Sequence, residues 1–289
     1  VKADVAVYDP QSPTDPTRFD ANGSRAKRLA IVCNREEGSL LTGHQDREEI
    51  LRSLLQDHGA EVVVLKVGPT GAVAASRDGA RYRIPAYRSD CVFPIGSGDV
   101  FSAVFAHYWA EVNKPLNVAA DLASKATAWY CATRTFPRSG EWGTTSSMAW
   151  RPVPLPSDRA PRIYIAGPFF SVQQLWIVEE LRAELTSMGV EVFSPYHDVG
   201  CFSSARDIAT RDLDGLRSCD AVLAILDGLD PGTIFEIGYA RSNEIPVVGL
   251  LQQRTADDFK MFDGTDVSLD SDLPSAVYRV VWTAIEKAR

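Results

Sequence analysis

The feature that most constrains this chain is an alternation of strands and helices that runs twice and breaks off once between. In the first series, short β-branched runs at 29–33 and 62–67 alternate with helical stretches at 47–58, 100–112 and 116–133, after a strand-like Val5-Ala6-Val7-Tyr8. In the second series, 162–166, 190–193, 221–226 and 245–250 read as strands, and 172–188, 205–217 and about 233–242 as helices. The helix at 172–188 aligns Leu175, Val178, Leu181 and Leu185 on one stripe and stops at Gly189. Between the two series the pattern gives way to Gly, Ser, Thr and Pro, including Pro152, Pro154, Pro156 and Pro161, which reads as a linker. The expected organisation is therefore a domain at 1–138, a linker at 139–161 and a domain at 162–289. Both domains are α/β, and strands joined by helices make a parallel sheet with ligands at the carboxyl ends of its strands.

A chain of 289 residues with 45% hydrophobic content can bury two cores of ordinary size. Its formal net charge of -8 argues against a nucleic-acid partner, since that affinity comes from clustered Lys and Arg, and favours a small-molecule substrate. The five cysteines form no CxxC pair and have no neighbouring histidines, so neither a disulfide framework nor a metal site is expected. That usage points to a reducing, cytoplasmic setting. The apolar run 221–226 is far shorter than the ~20 residues that cross a bilayer, and the start lacks the apolar core of a signal peptide. No membrane partner is expected.

In the second domain, each strand is followed by polar and aromatic residues: Gly167-Pro168-Phe169-Phe170, then Ser194-Pro195-Tyr196, then the run from Asp227 to Thr233. Glu236 follows Gly232-Thr233 early in a helix, where the dipole and free amides favour an ionised carboxylate. A carboxylate beneath an anomeric carbon can stabilise or capture the cation-like sugar formed when an N-glycoside breaks. A second acid must manage the proton of the departing base, and Asp230 and Asp212 are the candidates. Taken singly, Glu236 reads equally as a helix-capping charge, Asp212 as a solvated helix residue, and Phe169 and Phe170 as core.

Three ordered segments, Tyr164 to Phe170, Arg211 to Leu216 and Asp230 to Ala240, resemble the nucleoside 2-deoxyribosyltransferase family. The resemblance implies a flavodoxin-like parallel sheet and a homo-oligomer. It gives Glu236 the place of the nucleophile and Asp230 and Asp212 the handling of the base. Tyr164, Gly167, Pro168, Phe169, Phe170, Gly232 and Thr233 then line the substrate pocket, and no cofactor is needed. Where the family supplies a polar residue near the C-terminus, often an asparagine, the tail 259–273 has aspartates and no asparagine.

In the first domain, Ile95-Gly96-Ser97-Gly98-Asp99 opens a helix, so backbone amides can hold a phosphate and the aspartate can take a hydroxyl proton. With Asp4 to Pro10, Asn34 to Glu37 and Leu65 to Ala72, this run resembles the C-terminal part of a PfkB, ribokinase-like carbohydrate kinase. The resemblance implies Asp99 as catalytic base and Asn34 and Glu37 organising magnesium and phosphate. It sets Lys66, Gly68 and Gly71 beside a nucleotide, with Gly96, Ser97 and Gly98 at its phosphates and ATP with Mg2+ as the cofactor. Phe93-Pro94 stands where that family has Asp-Thr, and its N-terminal half is not in this sequence. Binding or scaffolding is therefore expected of this domain ahead of catalysis.

Three readings follow. The first is an enzyme cleaving or exchanging the N-glycosidic bond of a nucleoside or nucleotide. The second is a phosphotransferase whose missing half is supplied elsewhere, and the third is a nucleotide-binding sensor in which neither half turns over.

Overall fold

A computed structural model describes residues 1–12, 14–136, 151–155, 159–200, 204–253 and 260–289. Most of the expected linker, residues 139–150 and 156–158, lies outside them, as do Cys201 and the start of the 259–273 tail. The chain forms two compact units, Val1–Val153 and Pro154–Arg289.

The first unit runs β1 (Lys2–Tyr8), β2 (Arg25–Asn34), α1 (Arg35–Thr42), α2 (Arg47–Gln56), β3 (Val62–Lys66), β4 (Ala72–Ser76), β5 (Arg81–Ile84), α3 (Ser97–Ala106) and α4 (Leu116–Thr133). Its sheet has the order β1-β2-β3-β4-β5. The first three strands are parallel, and β4 and β5 return antiparallel. Both faces of the sheet are covered, which explains why β2 and β3 are apolar at nearly every position and do not alternate. Leu29, Ile31, Cys33, Val63 and Leu65 meet α2 through Ile50, Leu51 and Leu54. Ala30, Val32, Val62 and Val64 point the other way, into a core shared with Val100, Phe101 and Phe105 of α3 and Ala119, Ala120, Ala123 and Ala126 of α4. The alanine stripe brings α4 close to the sheet.

Residues 151–153 add to this unit's edge: Val153 donates its amide to Ala86 at 2.8 Å, and Arg88 donates to Arg151 at 3.0 Å. Gly71 has φ 95, and a Cβ there would lie 2.0 Å from the Ile84 carbonyl oxygen, so the turn into β4 accepts no side chain. The helix read at 100–112 begins three residues earlier and ends in a π turn over His107–Glu111.

The second unit runs β6 (Arg162–Ala166), α5 (Val172–Ser187), β7 (Glu191–Phe193), α6 (Pro195–Asp198), α7 (Ala205–Arg217), β8 (Ala221–Ile225), α8 (Pro231–Ser242), β9 (Val247–Leu250), α9 (Lys260–Asp263), β10 (Ser268–Asp270) and α10 (Leu273–Lys287). All five strands are parallel, in the order β10-β9-β8-β6-β7. In this order the first strand of the unit lies between the second and the third, the doubly wound arrangement whose ligands bind at the carboxyl edge where the order reverses. Period-2 geometry puts Tyr164 and Ala166 on one face of β6, in a core with Leu216, Ile237 and Ala240 of the helices α7 and α8. α5 and α10 pack on the sheet from elements read at sequence level only in part: α5 was expected and α10 was not. No helix of the described residues is long and apolar enough to cross a membrane.

Candidate functional site

Because Tyr164 faces α8, its hydroxyl meets the helix rather than solvent. It is fully buried, its ring stacks on Phe193 at 5.4 Å, and its hydroxyl donates to Glu236 Oε1 at 2.7 Å. A buried phenol finding a partner is the ordinary requirement for a polar tip inside a core. Here the partner is a carboxylate, and its Oε2 carries no hydrogen bond among the described residues.

Glu236 is the sixth residue of α8, beyond reach of the free amides at the helix start. Those amides are served by Asp230, the N-cap, whose Oδ2 accepts from the Thr233 amide at 2.8 Å and the Thr233 hydroxyl at 3.1 Å. The capping role considered for Glu236 thus belongs to Asp230, six residues earlier. With no amides to stabilise it, Glu236 is governed by burial, which pushes its carboxyl up to about 7, while the Tyr164 hydroxyl acts the other way and the charges of Asp212 and Asp230 add to the rise. The expectation of a firmly ionised Glu236 in the resting protein is corrected accordingly. Asp212, on α7, is also raised by burial, with Arg211 opposing, and its Oδ1 is buried without a hydrogen-bond partner among the described residues. Three acids from two helices therefore gather over the carboxyl edge of β6 and β8.

The loop after β6 forms the aromatic side. Gly167 passes so close to β8 that a Cβ would lie 2.8 Å from Ile225 Cδ1, and Pro168 is buried behind it. Phe169 contacts both Phe170, at 5.1 Å, and Tyr196, at 5.5 Å, while Phe170 stays 76% exposed. Gly232 is exposed and Thr233 buried, its polar atoms spent on the cap. Sequence reading missed a chain behind Tyr196: His197 bridges Ser194 Oγ at 3.1 Å and Glu179 Oε1 at 2.9 Å. It also missed Asp227, which accepts the amides of Gln252 and Gln253 and ties the ends of β8 and β9. Both sit at strand ends, the signal that exposed Phe169 and Asp230.

The first unit gathers a second cluster at the carboxyl ends of its own parallel strands. Gly96 opens α3 at φ 81, and no side chain caps this helix. A Cβ on Gly98 would lie 3.3 Å from Lys66 Nζ, which puts the ammonium of β3 against the uncapped turn. Lys66 is held by Asp9 at 3.4 Å, and Asp9 in turn accepts from Ser102 Oγ at 2.5 Å. Asp9 Oδ1 is buried without a hydrogen-bond partner among the described residues. Gln11 donates to Asp99 Oδ1. Ser97 turns its hydroxyl back to the Pro94 carbonyl at 2.8 Å, and Gly68 and Gly71 flank a 3-10 turn after Lys66. Asn34 and Glu37 form a reciprocal capping box at 2.8 Å in each direction, with Glu37 buried beneath the start of α1. Asp9, Gln11 and Ser102 were not singled out from sequence, because their partners lie 57 to 93 residues away.

An uncapped helix start beside a fixed ammonium fits the phosphates of a nucleotide. The orphaned Asp9 oxygen suits a hydrated cation that would accompany those phosphates.

The two units also differ in what they are similar to. Residues 163–265 match the family model described as nucleoside 2-deoxyribosyltransferase, and residues 4–135 match that of the pfkB family carbohydrate kinase. The chain thus carries a PfkB-kinase-like unit followed by a deoxyribosyltransferase-like one. A 5-dehydro-2-deoxygluconokinase of Clostridium perfringens is 34% identical over 82 residues, covering 27% of this chain and 24% of that protein. The chain therefore spans about a quarter of that curated relative's length. Among solved structures, a 2-deoxyribosyltransferase from Bacillus psychrosaccharolyticus is 25% identical over 38% of this chain and 86% of its own, with a TM-score of 0.34. A PfkB protein from Polaromonas sp. JS666 is 24% identical over 37% of this chain and 33% of its own, with a TM-score of 0.30.

Proposed function

We propose that the second unit breaks or exchanges the N-glycosidic bond of a nucleoside or nucleotide, with Glu236 as nucleophile. The observation that carries this reading is the bond from buried Tyr164 to Glu236 Oε1, which fixes the carboxylate and leaves Oε2 for the anomeric carbon. As the C–N bond lengthens, positive charge grows on the sugar, and Glu236 either stabilises it or closes on it as an ester. The departing base takes a proton from Asp212, which burial keeps ready to hold one, or from Asp230. A second base or water then attacks the ester and frees Glu236. The Phe169, Phe170 and Tyr196 rings offer a stacking wall for the base. No cofactor enters these steps.

The first unit is, in this reading, a nucleotide site: Lys66 and the first turn of α3 hold phosphates, and Asp99 stands beside them. ATP with Mg2+ would supply the phosphoryl group and its counter-charge when bound. Around the second site, Phe170, Val172, Trp176 and Phe235 are 76%, 87%, 62% and 61% exposed. Apolar surface of this kind is covered in a homo-oligomer of this chain, in a cytoplasmic setting. A strictly monomeric mass with full activity would remove that part of the reading.

The test is to incubate the purified chain with nucleosides, deoxynucleosides and their monophosphates and to follow free base by chromatography. Base release from at least one of them, with a second base accelerating or redirecting it, supports the reading. Intact substrate throughout the panel contradicts it.

A further inference from the structure

The two sites carry opposite charge, and that orders them. Around Glu236 the neighbouring charges are Asp212 and Asp230. The basic side chain next to them in sequence, Arg211, gives its guanidinium to the carbonyls of Asp198 and Val199 at 3.0 and 3.4 Å. A phosphate on the substrate would bring up to two negative charges to three acids without compensation, a costly burial. The first unit is built the other way. α3 opens with no side-chain cap, Lys66 lies against Gly98, and Asp9 and Ser102 hold Lys66 in place. Phe93, which stands where a kinase motif has aspartate, is occupied with Tyr130 at 6.1 Å and the Arg134 guanidinium at 4.4 Å, which leaves the turn from Gly96 to Asp99 intact.

We propose that the two units act in series on one sugar: the second cleaves an uncharged nucleoside, and the first phosphorylates the sugar released. This rests on the reading of the second unit given above and adds an activity and an order to it. In the first step the C1–N bond breaks, water supplies the oxygen at C1, and free base and sugar leave. In the second, a sugar hydroxyl oxygen attacks the terminal phosphorus of a nucleoside triphosphate. Its proton passes to Asp99, whose Oδ1 is already oriented by Gln11. The bond from that phosphorus to the bridging oxygen breaks, the nucleoside diphosphate leaves, and Asp99 returns its proton to solvent. Phosphorylation withdraws the sugar and so pulls the first step forward.

The experiment uses the full chain with 2'-deoxynucleosides, ATP and Mg2+, read by mass spectrometry of the products. Free base and a 2-deoxysugar phosphate are expected together, and free 2-deoxyribose in place of the nucleoside should give the same phosphate. Nucleoside 5'-monophosphates should release base at least about tenfold more slowly than nucleosides. ADP with Mg2+ should raise the melting temperature, and Lys66→Met should remove most of that rise. Asp99→Asn, checked for folding by circular dichroism, should cut sugar phosphate at least about a hundredfold. Base release with the sugar left unphosphorylated overturns the series while the glycosidic reading stands. A nucleoside monophosphate as the phosphorylated product overturns the order. Absence of base release, even where free sugar is phosphorylated, overturns both. An unchanged ADP effect in Lys66→Met overturns the phosphate site.

Discussion

Two helices, α3 and α8, do the same topological job with opposite chemistry. Each leaves the carboxyl edge of a sheet and presents its first turn to the region where ligands gather. α3 begins on Gly96 with no side-chain cap, and its open turn lies beside Lys66. α8 begins on Asp230, which fills its own amides through Thr233, so the acid-bearing side of α8 and not its tip faces the site. One cap residue separates a receiver of anions from a seat for carboxylates. The lesson is that glycine and acid at a helix start are opposite instructions, even when the surrounding fold is the same.

The largest effect that sharpens this contrast is on turnover. Glu236→Gln should lower the rate of base release by about a thousandfold or more, equivalent to about 4 kcal/mol of barrier. The same variant has a signature in stability. Burial raises the Glu236 carboxyl from near 4.5 to about 7, so the folded chain keeps a proton there that the unfolded chain releases. That contribution favours folding fully below about pH 4.5 and is lost as pH rises through about 7. Removing it should make Glu236→Gln more stable than the parent above pH 7, by up to about 3 kcal/mol, with little difference near pH 4. Denaturant melts at the two pH values check the sign.

Tyr164→Phe should act next most strongly. Losing the donor to Oε1 lets the Glu236 carboxyl rise further, so the acid limb of the rate profile should move to higher pH, with turnover at pH 7 about tenfold lower and partly restored at pH 8.5. An unshifted profile would show that the bond does not set the ionisation of Glu236.

The smallest effect separates the cap from the chemistry. Asp230→Ala should cost about 1 kcal/mol of stability, while Asp230→Asn, which still caps, should cost little. If Asp230 also manages the leaving base, Asn should slow substrates with poor leaving groups more than activated ones. Equal effects on both substrate types would reduce Asp230 to its cap.

Much of this was legible in one dimension. The stripe from Leu175 to Leu185 with Gly189 behind it located α5 to within a residue, and apolar runs located β6 and β8. Glu236, Asp230 and Asp212 stood out because strand ends and helix starts converge in this topology. What stayed hidden has physical causes. β4 is Ala72–Ser76, alanine-rich and short, so its antiparallel pairing with β3 and β5 left no β-branched signal. α10 follows the cap Asp272 and buries Val277, Val280 and Val281, a stripe hidden in what read as an aspartate-bearing tail. The ionisation of Glu236 was read with the wrong sign because helix position was weighed and burial was not. Asp9, Gln11 and Ser102 acquire meaning only when β1, β3 and α3 are brought together.

The central claim is that Glu236 forms a bond to the anomeric carbon. The most direct measurement is mass spectrometry of the chain incubated with a 2-fluoro nucleoside, whose fluorine slows breakdown of a glycosyl ester. The account predicts one added 2-fluorosugar per chain, located by peptide mapping on Glu236, with no addition in Glu236→Gln. An adduct on another residue, or base release without any adduct and undiminished in a folded Glu236→Gln, would contradict it.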